Sequence, residues 1–141
     1  MEKRSILVLC TGNSARSQMA EGLLQHICGD AYDVYSAGTL PSMVRPEAIK
    51  VLSEIGIDIS GNRSKSVEEF DGTPIDFVLT VCDNARENCP YFPAGTRLDH
   101  HAFFDPAAVT GSEEQRVVAF RKVRDEIRAF APAYLESLKA E

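Results

Sequence analysis

Cys10-Thr11-Gly12-Asn13-Ser14-Ala15-Arg16-Ser17 places a thiol and a guanidinium at C-x5-R spacing around a turn. The apolar run Ser5-Ile6-Leu7-Val8-Leu9 before it is short enough for a buried strand. After it, Met19, Ala20, Leu23, Leu24, Ile27 and Cys28 recur at helical spacing. The segment therefore joins a strand to a helix N-terminus, where backbone N–H groups converge and the macrodipole favours negative charge. Such a concavity, made by residues 11–17, accepts a tetrahedral oxyanion and also stabilises a thiolate at Cys10. Gly12 and Asn13 are the residues best able to take left-handed angles that aim the N–H groups inward. Arg16 adds a planar fork for two oxygens of the anion, and the Ser17 hydroxyl can donate to the sulfur. A thiolate beside a bound oxyanion is arranged to attack its central atom. A buried structural cysteine in an ordinary turn is the bland alternative; the combination of strand, Gly-Asn turn, Arg-Ser and helix favours catalysis.

Two more thiols, Cys82 and Cys89, lie seven positions apart in a polar segment that ends at Pro90. In a continuous helix their Cα atoms would be about 10.5 Å apart. A disulfide needs less than about 7 Å, so bridging them requires the segment to loop out or unwind. Zinc is a poor alternative, because the spacing is wide and no second Cys or His pair completes a set of four. Taken alone the pair is as readily incidental; in company with a reactive Cys10, a relay of thiols is the better account. Cys28, on the apolar face of the first helix, reads as a core residue, and His26 as solvent-facing. Asp99, His100 and His101 are a weak metal motif, since adjacent strand residues face opposite ways. No metal and no cofactor is expected.

These groups need a scaffold. The 141 residues suit one domain with a full core, and 44% hydrophobic and 26% charged content are those of a soluble globular chain. A net charge of −6 argues against general nucleic-acid or membrane-surface binding, so an anion site here must be local. The stretch after Met1-Glu2-Lys3-Arg4 reads as too short for a signal peptide and no apolar run approaches spanning length, so the chain is expected in the cytoplasm with reduced thiols. Strands are expected at 33–38, 76–81 and, weakly, 97–101, with a helix opened by Pro46 and closed by Gly56. Ser66 and Glu69 stand at capping-box spacing for a short helical turn. Residues 82–95 read as a loop. A long helix from about Ser112 carries Val117, Phe120, Val123, Ile127, Phe130, Tyr134 and Leu138 on one face, and Pro132 should kink or split it. Strands separated by helices imply right-handed crossovers and one α/β domain, 1–141, with a four-stranded parallel sheet flanked by helices on both faces. Ligands of such sheets sit beyond the carboxyl ends of the strands, where Cys10, Cys82 and the loop holding Asp105 all fall.

The chain resembles the thioredoxin-coupled arsenate reductases built on the low-molecular-weight tyrosine phosphatase fold. The resemblance covers nearly the whole chain: Cys10 to Glu21, Tyr35-Ser36-Ala37-Gly38, Cys82, Glu87-Asn88-Cys89-Pro90, Asp105-Pro106-Ala107 and Arg121 to Ile127. The paired Cys82 and Cys89 discriminate, because phosphatases of this fold do not need them. The resemblance implies that Cys10 attacks arsenate held in the loop while Asp105 protonates the leaving oxygen. Cys82 then attacks Cys10 and expels arsenite, and Cys89 attacks Cys82 to leave a Cys82–Cys89 disulfide for thioredoxin. It implies arsenate and thioredoxin as partners; nothing in the sequence suggests more than a monomer.

Two departures stand out. Ala15 occupies a position where many relatives carry a second loop cysteine. Some members hold potassium at residues matching Asn13, Glu21 and Ser36, with a carboxylate where this chain has Lys65, so no bound potassium is expected. The first rival reading is a low-molecular-weight tyrosine phosphatase using Cys10, Arg16 and Asp105; Ala107, Ala108 and Leu40-Pro41-Ser42-Met43 offer little aromatic wall for a phenol. The second is a sensor that binds an oxyanion and signals by disulfide, in which Asp105 only shapes an Asp-Pro turn.

Overall fold

The computed structural model describes residues 3–89, 92 and 95–140. β1 (Arg4–Cys10) leads through the 11–15 loop into α1 (Arg16–Cys28), followed by β2 (Tyr32–Gly38) and α2 (Pro46–Ser53). After a 3-10 turn at Val67–Phe70 come β3 (Phe77–Thr80), α3 (Asp83–Glu87) and β4 (Arg97–His100). A second 3-10 turn, Pro106–Ala108, precedes α4 (Glu113–Leu138). The four strands pair in parallel in the order β2-β1-β3-β4, as the alternation of strands and helices predicts. Ile6, Leu7, Val8 and Leu9 point alternately to opposite faces of the sheet, yet all are fully buried. Both faces are therefore covered, which explains why β1 reads as a continuous apolar run. Register aligns Cys10 with Gly38, so the end of β2 lies directly beside the start of the loop.

Four local expectations need correction. First, of the two outcomes expected at Pro132, the split does not occur: α4 is a single 26-residue helix that runs through it. A proline inside a helix costs about 3 kcal/mol. Leu135 and Leu138, buried beyond it with Tyr134, contribute about 1.5–3 kcal/mol each, enough to hold the axis together. Second, residues 83–87 form α3 instead of loop, because Cys82 caps it by accepting from the Ala85 N–H at 3.4 Å. Third, Ser66 does cap its turn, but accepts from Glu68 N–H, and the Glu69 carboxylate turns away to Arg63. Fourth, the C-terminal end of α1 emerges from the core: Ile27 is exposed and Cys28 only half-buried, its thiol raised above the usual value by partial burial. At the start of α4, Ser112 and Gln115 form the reciprocal capping box.

α2 is clamped to α4 by ions. Arg124 donates to the Val51 carbonyl at 2.9 Å and to Glu54 Oε1 at 2.8 Å, while Arg121 Nε donates to Glu54 at 2.9 Å. The two guanidiniums hold the Glu54 carboxyl at about 2, Arg121 being the larger influence. Because the folded value lies below the unfolded one, this stabilisation is present above about pH 4.5 and lost as pH falls through about 2. Glu54→Gln should lower the melting temperature at pH 7, and the gap from wild type should shrink toward pH 2, as thermal scans at several pH values will show.

Candidate active site

The loop after β1 owes its shape to its carbonyls. The Cys10 carbonyl accepts from Thr39 N–H at 3.2 Å and that of Thr11 from Leu40 N–H at 2.9 Å. Gly12 accepts from Ser42 N–H at 3.1 Å and from Ser64 Oγ at 2.7 Å, and Ser14 from Arg45 N–H at 2.9 Å. The Asn13 carbonyl accepts from Gln18 Nε2 at 3.3 Å. Five successive carbonyls thus point outward to the 39–45 segment, to Ser64 and to α1, which turns the N–H ends of the same peptides inward. The first turn of α1 has no side-chain cap, so its own N–H groups face the same hollow. Asn13 takes the left-handed angle (φ 47), while Gly12 does not.

Gly38 makes room for this arrangement. A Cβ there would lie 2.5 Å from the Thr11 carbonyl oxygen and 2.9 Å from Asn13 N, both backbone atoms that cannot swing aside. Gly38→Ala should displace the loop by a sizeable fraction of an ångström and weaken binding of an oxyanion by about 10-fold or more. Titration with inorganic phosphate, followed by competition against an aryl phosphate, will measure it.

Behind the loop runs a polar network. Cys10 Sγ accepts from Asn13 N–H at 3.2 Å and lies 2.8 Å from Ser17 Oγ, the contact anticipated from sequence. The fully buried Asn13 amide donates to Ser17 Oγ at 2.8 Å and to Ser36 Oγ at 3.0 Å, and its oxygen accepts from Gln18 Nε2 and Lys65 N–H, each at 3.0 Å. Ser36 Oγ donates to Glu21 Oε1 at 2.9 Å, and Asn62 Nδ2 to Glu21 Oε2 at 2.8 Å. The Lys65 ammonium stands 3.9 Å from Glu21 Oε1. Burial pushes the Glu21 carboxyl up and the Lys65 ammonium down, each partly offset by the other's charge. Asn13, Ser36 and Glu21 do converge, but a cation already faces them, so this donor set does not fit a potassium ion.

Three further groups rim the hollow. Arg16 donates through one terminal nitrogen to the Phe103 carbonyl at 3.3 Å, and the other lies 3.6 Å from Asp105 Oδ2. Asp105 Oδ1 accepts from Ala107 N–H at 3.0 Å, so one oxygen shapes the Asp-Pro turn and the other faces Arg16. Stacked rings of His101, Phe130 and Tyr134, with Phe103 edge-on to Phe130, hold that segment against α4. Cys82 Sγ is buried and lies 3.3 Å from Thr11 Oγ1 of the loop. Cys89 is half-buried against the core, and burial raises its thiol above the usual value. Asp99, His100 and His101 diverge: to Arg97, to Thr80 and Asp83, and into the aromatic stack, respectively.

The family model for low molecular weight phosphotyrosine protein phosphatase matches residues 5–141. The chain belongs to this family. Within the phosphatase family its relatives carry two kinds of name. It is 43% identical over 137 residues to an arsenate reductase of Shouchella clausii, covering 97% of this chain and 99% of that one. A thioredoxin-dependent arsenate reductase of Corynebacterium glutamicum superposes with TM-score 0.77 at 25% identity, over 98% of this chain and 63% of the larger neighbour. A low molecular weight protein tyrosine phosphatase from T. tengcongensis superposes with TM-score 0.80 at 26% identity, over 96% and 99% of the two chains.

Several residues of this family site are silent in the sequence. Thr39, Leu40, Ser42, Arg45 and Ser64 act on the loop mostly through backbone N–H groups, which any residue type supplies. Phe104, next to Asp105 in sequence, is an exposed aromatic side chain, 60% accessible. A clue to Lys65 was available only through the resemblance, since a lone lysine in a polar segment reads as solvated.

Proposed function

We propose that this chain reduces arsenate to arsenite through three cysteines and is recharged by thioredoxin. The observation that carries it is Cys82 Sγ at 3.3 Å from Thr11, a second thiol at the lip of the anion-binding loop. A phosphatase of this fold has no chemical use for it. Cys10, supported by Ser17 and Asn13 N–H, attacks arsenic held by the inward N–H groups of 11–17 and by the Arg16 fork. Asp105, as the acid, passes a proton to the departing oxygen, which leaves as water and a Cys10–arsenic bond remains. Cys82 attacks the Cys10 sulfur; the electron pair of the sulfur–arsenic bond stays on arsenic and arsenite departs. Two thiols have become the Cys10–Cys82 disulfide, which accounts for the two electrons that arsenic gains. Cys89 then attacks the Cys82 sulfur, freeing Cys10 and leaving Cys82–Cys89 for thioredoxin. Lys65 holds the charge beside Glu21, so no potassium enters the scheme. No helix among the described residues is long and apolar enough to cross a membrane.

The direct test couples NADPH oxidation to arsenate through thioredoxin and thioredoxin reductase. Arsenate-dependent turnover is expected; its absence, together with fast hydrolysis of aryl phosphates, would return the chain to phosphatase chemistry. Phosphate and arsenate are near-isosteric, so slow aryl phosphatase activity through Cys10, Arg16 and Asp105 accompanies the main reaction. Cys89→Ser should complete one turnover, releasing one arsenite per enzyme, and then stop. Normal steady-state turnover in that variant would exclude the relay.

A further inference from the structure

α3, which spans the residues between the two relay thiols, is held unequally at its ends. Asp83 and Asn84, its first two residues, both bond outside the helix. His100 Nε2 lies 3.0 Å from Asp83 Oδ1. The carboxylate only accepts, so the proton is on Nε2 and the ring donates. His100 Nδ1 lies 2.7 Å from Thr80 Oγ1. Thr80 ends β3 and His100 ends β4, so the imidazole ties the edge of the sheet to the first turn of α3. Asn84 Oδ1 accepts from Thr11 Oγ1 and Thr39 Oγ1, each at 3.2 Å. The bonds described for the other end return to the helix: Arg86 N–H to the Cys82 carbonyl, and Asn88 N–H and Nδ2 to the Asn84 carbonyl.

We propose that His100 is a positioning residue of the thiol relay: a latch that holds Asp83, keeps α3 helical and favours the Cys82–Cys89 dithiol over its disulfide. The proposal rests on the relay reading above. Five helical residues, Asp83–Glu87, stand between the thiols at about 1.5 Å of rise each, and closing the disulfide must bring the Cα atoms of Cys82 and Cys89 to less than about 7 Å. The turns of α3 have to open, and the direction of the Asp83 side chain is set by the first of them. The His100–Asp83 bond is therefore made in the dithiol form and lost in the disulfide form. Its presence makes the disulfide easier to reduce, which drives discharge by an external dithiol toward completion. It also keeps Cys82 beside Thr11 while Cys10 is loaded.

The test uses the full chain carrying Cys10→Ser and Cys28→Ser, so that Cys82 and Cys89 are its only thiols, equilibrated with glutathione and glutathione disulfide. Formation of the internal disulfide passes two protons and two electrons to glutathione disulfide and yields two glutathiones; alkylation and mass measurement give the ratio. His100→Ala should move the equilibrium about five-fold toward the disulfide, the size of one hydrogen bond. Asp83→Ala, at a side chain 69% exposed and so harmless to folding, should do the same. The double variant should fall well short of the sum, because both substitutions remove the shared His100–Asp83 bond, while His100→Ala also gives up Thr80 and Asp83→Ala its 4.0 Å ion pair with Arg86. An unchanged equilibrium in both single variants, or fully additive effects, overturns the latch while leaving the relay intact. A background protein that forms no Cys82–Cys89 disulfide overturns both.

Discussion

Cys82→Ser should cut thioredoxin-coupled arsenate turnover by more than about 10³-fold while sparing hydrolysis of an aryl phosphate. Serine is a good helix N-cap, so it can accept from Ala85 N–H as Cys82 does and keep α3 in place. A hydroxyl can also reach Thr11 Oγ1 across the 3.3 Å that separates it from Cys82 Sγ. The substitution thus preserves the architecture and removes the redox chemistry, since an oxygen cannot form the disulfide that expels arsenite. Cys10, Arg16 and Asp105 remain for phosphate esters, whose hydrolysis needs no second thiol. Parallel loss of both activities would point to a collapsed loop; retention of arsenate turnover would remove Cys82 from the relay.

Asp105→Asn should slow formation of the Cys10 adduct by about 10²–10⁴-fold, the range of a positioned general acid. The amide oxygen can still accept from Ala107 N–H, so the turn that places residue 105 survives. Only the oxygen 3.6 Å from Arg16 loses the proton-donor role proposed for it. Removing a negative charge beside Arg16 should leave anion binding unchanged or tighter, so the loss falls on kcat and not on KM. Rapid-quench measurement of a single turnover separates the two. An unchanged rate would reduce Asp105 to a cap for the Pro106 turn, as the non-enzymatic reading has it.

The chemistry of the site was legible wherever it is local. Cys10, Asn13, Arg16 and Ser17 lie within eight consecutive residues, and a strand, a turn and a helix start are decided by neighbours along the chain. The Ser17 contact with Cys10 and the parallel sheet follow from those rules alone. The errors were local contests lost to the surroundings. Pro132 lies inside α4 because buried side chains on either side outweigh the bond it forfeits. Residues 83–87 are helical because Cys82, an unusual capping residue, takes the acceptor role usually filled by Ser or Asp.

By itself, the sequence determined an α/β domain with one thiol at a strand-to-helix turn, Cys10, and a second, Cys82, just past the end of another strand. Tertiary structure alone decided that Cys82 meets Thr11 across 71 positions, that Asp105 meets Arg16, and that Lys65 faces Glu21. It also decided that the 39–45 segment ties back the carbonyls of the loop. These contacts depend on strand order and on which backbone passes within 3 Å of which. Backbone donors carry no signature in the sequence, and a pairing across a parallel sheet exists only once the crossovers have placed both strands.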